Sequence, residues 1–585
     1  MRVTGIPFPG WLDLKVEQDE LEQVKRIPIR RFDQMRKVWT VPDTQRVRAY
    51  LTKLGVDTAV SSPCFTKPLP PIEFKTQAYA HQLDDLAMME GKHAFGVLDE
   101  PGLGKTKIGI DDSARWFQSG EVDAVIVVCP NSITGNWLDE IDIHSHLPSD
   151  KFIYNASKKS KATSFIGQGP KKDVLRWFVI AAESIFTKAS LEIASEFART
   201  HRCILIVDES TYVGENTADR TKNVIKLSKL CPVRRIFTGT MLTKSLAKAW
   251  SQFEILDPRI LDMDFYPFRG YFCIMGGYKM KQIIASKNEQ EFFDIISPWV
   301  CLKKKVDCLD LPAKVFQTRK VAPSVEQRAL YNDILSGVVT DPSFSVAMVR
   351  DLRLHQVSGG FSYRVDTEAS MAFLIREMEA LQNGTELPDP DELDKRYIAE
   401  PIPGPNPKVQ ESLNIAEQVP GKILYWCRYR SEIESLSVAL RAVYGDSSVV
   451  EFHGGIDKEL RQPIIRSFQT DPEVRFFIGQ IHTGGIGITL TAASVEVFFS
   501  NDWSAERRIQ AEDRIHRISQ VGDSCLYIDL LLGDDATPAG GFIDSRVLRA
   551  VQQGKDYHAF VQDEIQSRLD DDKKLLTPTD DLSLY

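Results

Sequence analysis

Short β-branched runs without polar alternation recur along the chain, each followed by a stretch with helical periodicity. AVIVVCP (124–130), RWFVIAA (176–182), CILIVDE (203–209) and RRIFTGT (234–240) form one set. GKILYWC (421–427), SSVVEFHG (447–454), VRFFIGQ (474–480) and SVEVFFSND (494–502) form a second. Strands apolar on both faces belong in parallel sheets covered by helices on each side. Two such sets around a helical, insertion-bearing middle predict two α/β lobes, whose ligands sit at the carboxyl ends of the strands. Upstream, VKRIPIRRFDQMRKVWTVPDTQRVRAYLTKLG (24–55) reads helix, strand, turn, strand, helix, a small α+β module.

Proline and acid mark the breaks. SSPCFTKPLPPIEF (61–74) carries four prolines and ends any helix. ELPDPDELDKRYIAEPIPGPNPK (386–408) reads as an exposed insertion or loop. The division predicted is a module at 1–60, a linker at 61–72, a first lobe at 73–315, a second at 316–562 and an acidic tail at 563–585. The second lobe carries a helical insertion at about 340–410, and no repeat of fixed period is present.

At 585 residues the chain exceeds one ordinary domain, and 43% hydrophobic with 26% charged residues excludes a mostly disordered polymer. Nine cysteines, an odd number with no C-x-x-C pair, read as reduced buried thiols of an intracellular protein. The opening MRVTGIPFPGWLDL lacks a charged segment followed by an apolar core, and no apolar run approaches the roughly 18 residues of a membrane span. The expected location is intracellular: cytoplasm, host cytoplasm for a viral protein, or nucleus for a eukaryotic one. Net charge is −9, which excludes a uniformly basic surface. Residues 376–400 have a net charge of −5 and residues 563–585 one of −4, so these two segments hold the whole excess. Residues 1–60, by contrast, carry 11 Lys/Arg against 8 Asp/Glu.

Three segments carry chemistry. In LDEPGLGKTKIGI (98–110), Gly102 and Gly104 free backbone N–H groups to wrap a phosphate at a helix N-terminus. Lys105 then reaches the outer phosphates, and Thr106 offers a hydroxyl to Mg²⁺. The pattern G-x-x-x-x-G-K-[ST] holds except at its first position, where Asp99 stands; a glycine turn with a surface lysine gives a similar string. CILIVDES (203–210) ends a buried strand on Asp208 and Glu209, suited to holding Mg²⁺ and orienting water; adjacent acids also cap helices. In RRIQAEDRIHRISQ (507–520), Gln510, Arg514 and Arg517 fall on one face of a helix. Such a row is either a solvated, ion-paired face or the arginines that neutralise charge developing on a γ-phosphate.

In order, these segments resemble a Swi/Snf-type member of the superfamily-two helicase-like ATPases over roughly residues 72–560. Gln82 in AYAHQ resembles the adenine-reading Q motif, GLGKT motif I, CPNSITGNWLDE (129–140) motif Ia, DES motif II and FTGTMLTKSLAKAW (237–250) motif III. HGGIDKELRQPIIRSF (453–468) resembles the segment before motif V, HTGGIGITLTAA (482–493) motif V, and QAEDRIHRISQ motif VI. The sequence departs from the family at Thr211, where many relatives have histidine, at Met241 and Lys244 after TGT, and at Gln480. The resemblance implies two RecA-like parallel-sheet lobes and an active, DNA-dependent ATPase using ATP and Mg²⁺. It places Gln82, Gly102, Gly104, Lys105, Thr106, Gly487 and Gln510 around the nucleotide. Metal contact falls to Thr106 and Asp208, water orientation to Glu209, and neutralisation of the γ-phosphate to Arg514 and Arg517. DNA would be held by Ser132, Asn136, Thr483 and Gly484.

The N-terminal stretch resembles the HARP domain of annealing helicases, or its short phage and bacterial counterpart. That implies remodelling of forked DNA, with single- or double-stranded DNA as other partners, by a protein expected to act as a monomer. Arg30, Arg31, Arg36 and Lys37 are the candidate phosphate contacts; Phe32 and Trp39 read first as the module's core. Lys303, Lys304 and Lys305 are open to phosphate or solvent. His144 and His146 lack a third ligand for zinc.

Overall fold

A computed structural model describes residues 1–8, 10–58, 68–239, 246–276, 282–336, 347–365, 397–481, 488–517, 520–533 and 542–554. Residues 59–67, spanning the end of the module and the first part of the linker, most of the acidic stretch 376–400, and the tail 563–585 lie outside the described residues, as do Met241 and Lys244. The chain divides into two compact units between Asp310 and Leu311.

The first unit opens with β1 (Arg2–Phe8), β2 (Trp11–Lys15), β3 (Arg31–Asp33) and β4 (Val38–Pro42), an antiparallel sheet in the order β1-β2-β4-β3. Helices Leu21–Lys25 and Gln45–Lys53 flank β3 and β4 in the order the sequence predicts, but β1 and β2 were not anticipated. Leu12, Leu14, Val24, Val41, Val47 and Leu51 form this module's core. Phe32 does not join it: the ring is 45% exposed and leans on Trp39 with centroids 5.2 Å apart. The register sets Phe32 opposite Trp39, itself opposite the core residue Leu14, so the ring shares the core's face but stays uncovered because β3 is the short edge strand.

The larger sheet of this unit is wholly parallel. Its strands are β5 (Ala94–Val97), β6 (Ala124–Cys129), β7 (Ser149–Tyr154), β8 (Leu175–Ala181), β9 (Cys203–Asp208), β10 (Val233–Phe237) and, after a hairpin of β11 (Cys273–Gly276) and β12 (Gln282–Ser286), β13 (Val300–Cys301). They lie in the order β13-β5-β10-β9-β6-β8-β7. Every residue of β6, β8 and β9 is buried, the environment that their unbroken apolar runs require.

The second unit also holds a parallel sheet. It begins at β14 (Ala313–Val321), continues past the antiparallel pair β15 (Phe361–Val365) and β16 (Tyr397–Pro401), and is completed by β17 (Lys422–Cys427), β18 (Val449–Phe452), β19 (Phe476–Gln480), β20 (Ala493–Phe498) and β21 (Ser524–Leu532). The order is β14-β21-β20-β17-β19-β18. Because β14 pairs along its whole length with β21, residues 313–315 belong to this unit and not to the first lobe. The proline-rich stretch 386–408 is not all loop either: β16 lies within it, and Pro407 opens the helix Pro407–Gln418 behind an Asn406 cap. Proline at a first helical turn loses no hydrogen bond.

No described helix is long and apolar enough to cross a membrane. Eight described cysteines are free, all buried except the half-buried Cys308.

Candidate active site in the first unit

Strand register builds the site. Phe237 at the end of β10 pairs with Val97 on one side and with Asp208 on the other. Three carboxyl-terminal strand ends are therefore level, and two strand spacings of about 4.8 Å separate the start of the loop from Asp208 by roughly 10 Å. From β5 the chain turns through 98–104 and enters the helix Lys105–Gln118. Gly104 caps that helix at φ 79°, and a β-carbon there would lie 2.3 Å from the Gln82 amide nitrogen. Gln82 Nε2 and His81 Nε2 both donate to the Leu103 carbonyl, at 3.2 and 2.9 Å. The Q-motif helix Ala80–Met88 is thus fastened to the loop's apex. Lys105 points inward, its ammonium donating to the carbonyls of Asp99 at 2.6 Å and Glu100 at 3.2 Å. Thr106 is half-buried in the first turn.

Asp208 is buried, and burial pushes its carboxyl above the ordinary range. Three groups oppose that shift: the Trp137 indole N–H at 2.9 Å, the Lys105 charge, and the Glu209 backbone N–H at 2.9 Å. Trp137 lies within the motif Ia string, but nothing in the spacing marks it as Asp208's partner. Glu209 adopts φ 48°, ψ 53°, a left-handed backbone that turns the chain sharply off the strand. Ser132 and Asn136 are half-buried at the start of the motif Ia helix, Thr134–His144 and its preceding turn.

Beneath the loop, Asp85, Asp99 and Cys301 come together in full burial. The Lys303 ammonium lies 3.1 Å from Asp85 and donates to the His81 carbonyl at 2.6 Å, while the Lys303 N–H donates to Asp99 at 2.9 Å. The position open to a cation is thus held by a lysine. Burial and the neighbouring Asp85 push the Asp99 carboxyl up to about 7. Lys303 is half-buried and ties the exit of the first lobe to the Q-motif helix. His144 and His146 hydrogen-bond Thr76 and Gln118.

In the second unit the motif VI helix ends at Glu512, with Asp513 as its cap. Arg514 and Arg517 accordingly lie beyond the helix, not on one face of it with Gln510. Arg514 donates to the carbonyls of Gln510 at 2.6 Å and Ile488 at 3.0 Å, and Arg517 to the Thr489 hydroxyl at 2.6 Å. These bonds clasp motif VI to the end of motif V. Gln510 is buried, and Gln480 donates to the Arg428 carbonyl at 3.0 Å. Thr483, Gly484 and Gly487 lie outside the described residues.

On the N-terminal module, Arg30 donates to the Ile27 carbonyl and Arg36 is paired with Asp33 and Asp13. Arg31 reaches Asp262 of the lobe at 2.9 Å. Lys37, at φ 54°, is exposed on the β3–β4 turn beside Met35, which is 96% exposed.

Two parallel sheets in succession, the first with a glycine-rich loop and paired acids on its carboxyl edge, define a helicase-like ATPase. The chain belongs to the SNF2-related family: residues 81–383 match the SNF2-related domain, and residues 407–519 the helicase conserved C-terminal domain. It is 24% identical over 488 residues to the ATP-dependent helicase fft1 of Schizosaccharomyces pombe, covering 76% of this chain and 49% of that one. It is 23% identical to the TATA-binding protein-associated factor MOT1 of Saccharomyces cerevisiae, covering 78% of this chain and 26% of that one. The human lymphoid-specific helicase is 24% identical, with coverage of 74% and 57%. The chain thus spans between about a quarter and three fifths of the length of these relatives. A Sulfolobus solfataricus SWI2/SNF2 ATPase core in complex with dsDNA aligns with a TM-score of 0.36 at 19% identity, covering 83% of this chain and 92% of that one.

Proposed function

We propose that the protein is a DNA-dependent ATPase that translocates on DNA and remodels branched structures by fork regression and strand annealing. The observation that carries the reading is the level placement of the phosphate loop and Asp208 across β5, β10 and β9. ATP fits the loop: Gly104 lets the turn pack directly against the Gln82 amide in a left-handed conformation at the helix N-terminus, and Lys105 is already buried inside the turn. Mg²⁺ fits Asp208 and Thr106, because a carboxyl destabilised by burial gains from a cation; the ion would neutralise phosphate charge. Glu209 then orients the attacking water, Arg514 and Arg517 offset charge on the γ-phosphate, and Gln82, Gly102, Gly487 and Gln510 complete the nucleotide contacts. Ser132, Asn136, Thr483 and Gly484 hold the DNA backbone, contacts that carry no sequence information.

The HARP-like module contributes the preference for branched DNA through the hairpin carrying Arg30, Arg31, Arg36 and Lys37. Hydrolysis measured with single-stranded, double-stranded and forked DNA tests the reading, with the largest stimulation expected from forks. Lys105→Ala should lower the stimulated rate by roughly 10²–10³-fold; unchanged hydrolysis would refute the site. No hydrolysis by wild-type protein with any DNA would leave a DNA- or partner-binding module with a silent site.

A second reading, displacement of proteins from DNA, is favoured by relatives named as TATA-binding protein-associated factors. Release of a DNA-bound protein on ATP addition, with forks left unchanged, would establish it instead.

A further inference from the structure

Ser210 follows Glu209 directly, and its hydroxyl donates to Gln252 Oε1 at 2.5 Å. Both side chains are fully buried. Gln252 belongs to the helix Ala247–Leu256, whose neighbouring Ala249, Phe253, Ile255 and Leu256 are all core residues. A glutamine in such a helix is costly unless its oxygen is used. Among the described residues its amide nitrogen makes one long bond, of 3.3 Å, to the Lys248 carbonyl.

What the Ser210 bond holds is unusual. Glu209 sits in a left-handed conformation that non-glycine residues keep only when the surroundings fix it. Two backbone bonds are local: the Glu209 N–H to Asp208 Oδ1 and the Tyr212 N–H to the Glu209 carbonyl, each 2.9 Å. Neither reaches outside residues 208–212. The Ser210–Gln252 bond does, anchoring the turn to the helix that follows Thr238 and Gly239 in the chain.

We infer that Gln252 is a positioning residue for hydrolysis, setting through Ser210 the turn from which Glu209 addresses water. The role rests on the ATPase reading above. Gln252 does not touch nucleotide, so its loss acts on turnover and not on ATP affinity.

The test compares wild type, Ser210→Ala, Gln252→Leu and the double variant, reading kcat, KM for ATP and Tm. Gln252→Leu alone strands a buried hydroxyl and lowers Tm. The double variant removes both partners and returns Tm close to wild type, since replacing both members of a buried bond is nearly neutral. A positioning role predicts that kcat stays at least about tenfold down in all three variants, with KM within about twofold, because small misplacements of a reacting group are expensive. Wild-type kcat in the double variant, or in Ser210→Ala, overturns the role while leaving the ATPase reading intact. Wild-type protein that hydrolyses no ATP overturns both together.

Discussion

Among the described residues, no lysine or arginine is bonded to the Asp208 carboxyl; its strongest opposing contact against burial is the Trp137 indole N–H. A donor to a carboxylate favours the charged form, and its loss raises the pKa. Trp137→Phe keeps the ring and removes the donor. It should therefore shift the acid limb of the kcat/KM profile to higher pH, and an unmoved limb would count against this contact. Asp99 gives a stability prediction of opposite origin. Burial beside Asp85 holds its proton up to about 7 in the folded chain, against an ordinary 3.8. Between those values the folded state binds more protons than the unfolded one, so stability falls as pH rises through that window. Asp99→Asn cannot ionise and can keep the Lys303 N–H bond through its amide oxygen. Thermal melting should show the variant gaining several degrees over wild type at pH 8 and little at pH 4. At this scale the placement of Lys105 at the head of a helix behind a glycine turn, and of Asp208 and Glu209 at the end of a buried strand, was legible in the sequence, because adjacent residues and short spacings carry it. Trp137 and Gln252 were not, because their partners lie 71 and 42 residues away and no motif spacing encodes the pairing.

The N-terminal sheet is built onto the first lobe as one body of contacts. Trp11 is buried with its indole N–H donating to the Ile260 carbonyl at 3.1 Å, and Phe8 stacks on Trp299 with centroids 4.5 Å apart. Gly10, at φ 85°, passes so close to Ile295 that a β-carbon would stand 3.0 Å from its carbonyl oxygen. Trp11→Ala should cost about 3–5 kcal/mol in urea unfolding, as other buried aromatic truncations do. Arg31→Ala, removing a largely exposed ion pair, should cost no more than about 1 kcal/mol. Equal costs would contradict this docking. Sequence periodicity revealed β6, β8, β9 and β10 in the first sheet and β17 to β20 in the second. It missed β7, whose residues are mostly half-buried, the two-residue β13, and β14, where exposed positions dominate, and it also passed over the buried interior strands β5 and β21. Motif VI was misjudged for a related reason: arginines at helical spacing remain helix-compatible on paper, while the bonds to Ile488 and Thr489 that draw the chain off the helix are long-range.

Across the whole molecule, the acidic excess resides in two segments away from the motifs, while the module is net positive. Contacts to a phosphate backbone release counterions, so DNA stimulation of hydrolysis should fall linearly in log affinity against log salt. Arg30→Glu with Lys37→Glu should flatten that slope and abolish fork regression while hydrolysis persists; an unchanged slope would remove the hairpin from the DNA path. Surface substitutions are the proper probe, since deleting residues 1–60 would bare Trp299 and the lobe's core around Ile260. One pairing also bears on how the chain is made. β14 leaves the ribosome about 200 residues ahead of β21, its hydrogen-bonded neighbour, a wait of roughly 10–40 s at 5–20 residues per second. Through that interval its backbone edge is unsatisfied and Val315 and Phe316, 46% and 57% exposed even when folded, are bare. Nascent chains halted before residue 524 should therefore seek chaperones or aggregate, whereas those halted just past 310 already hold every strand of the first sheet.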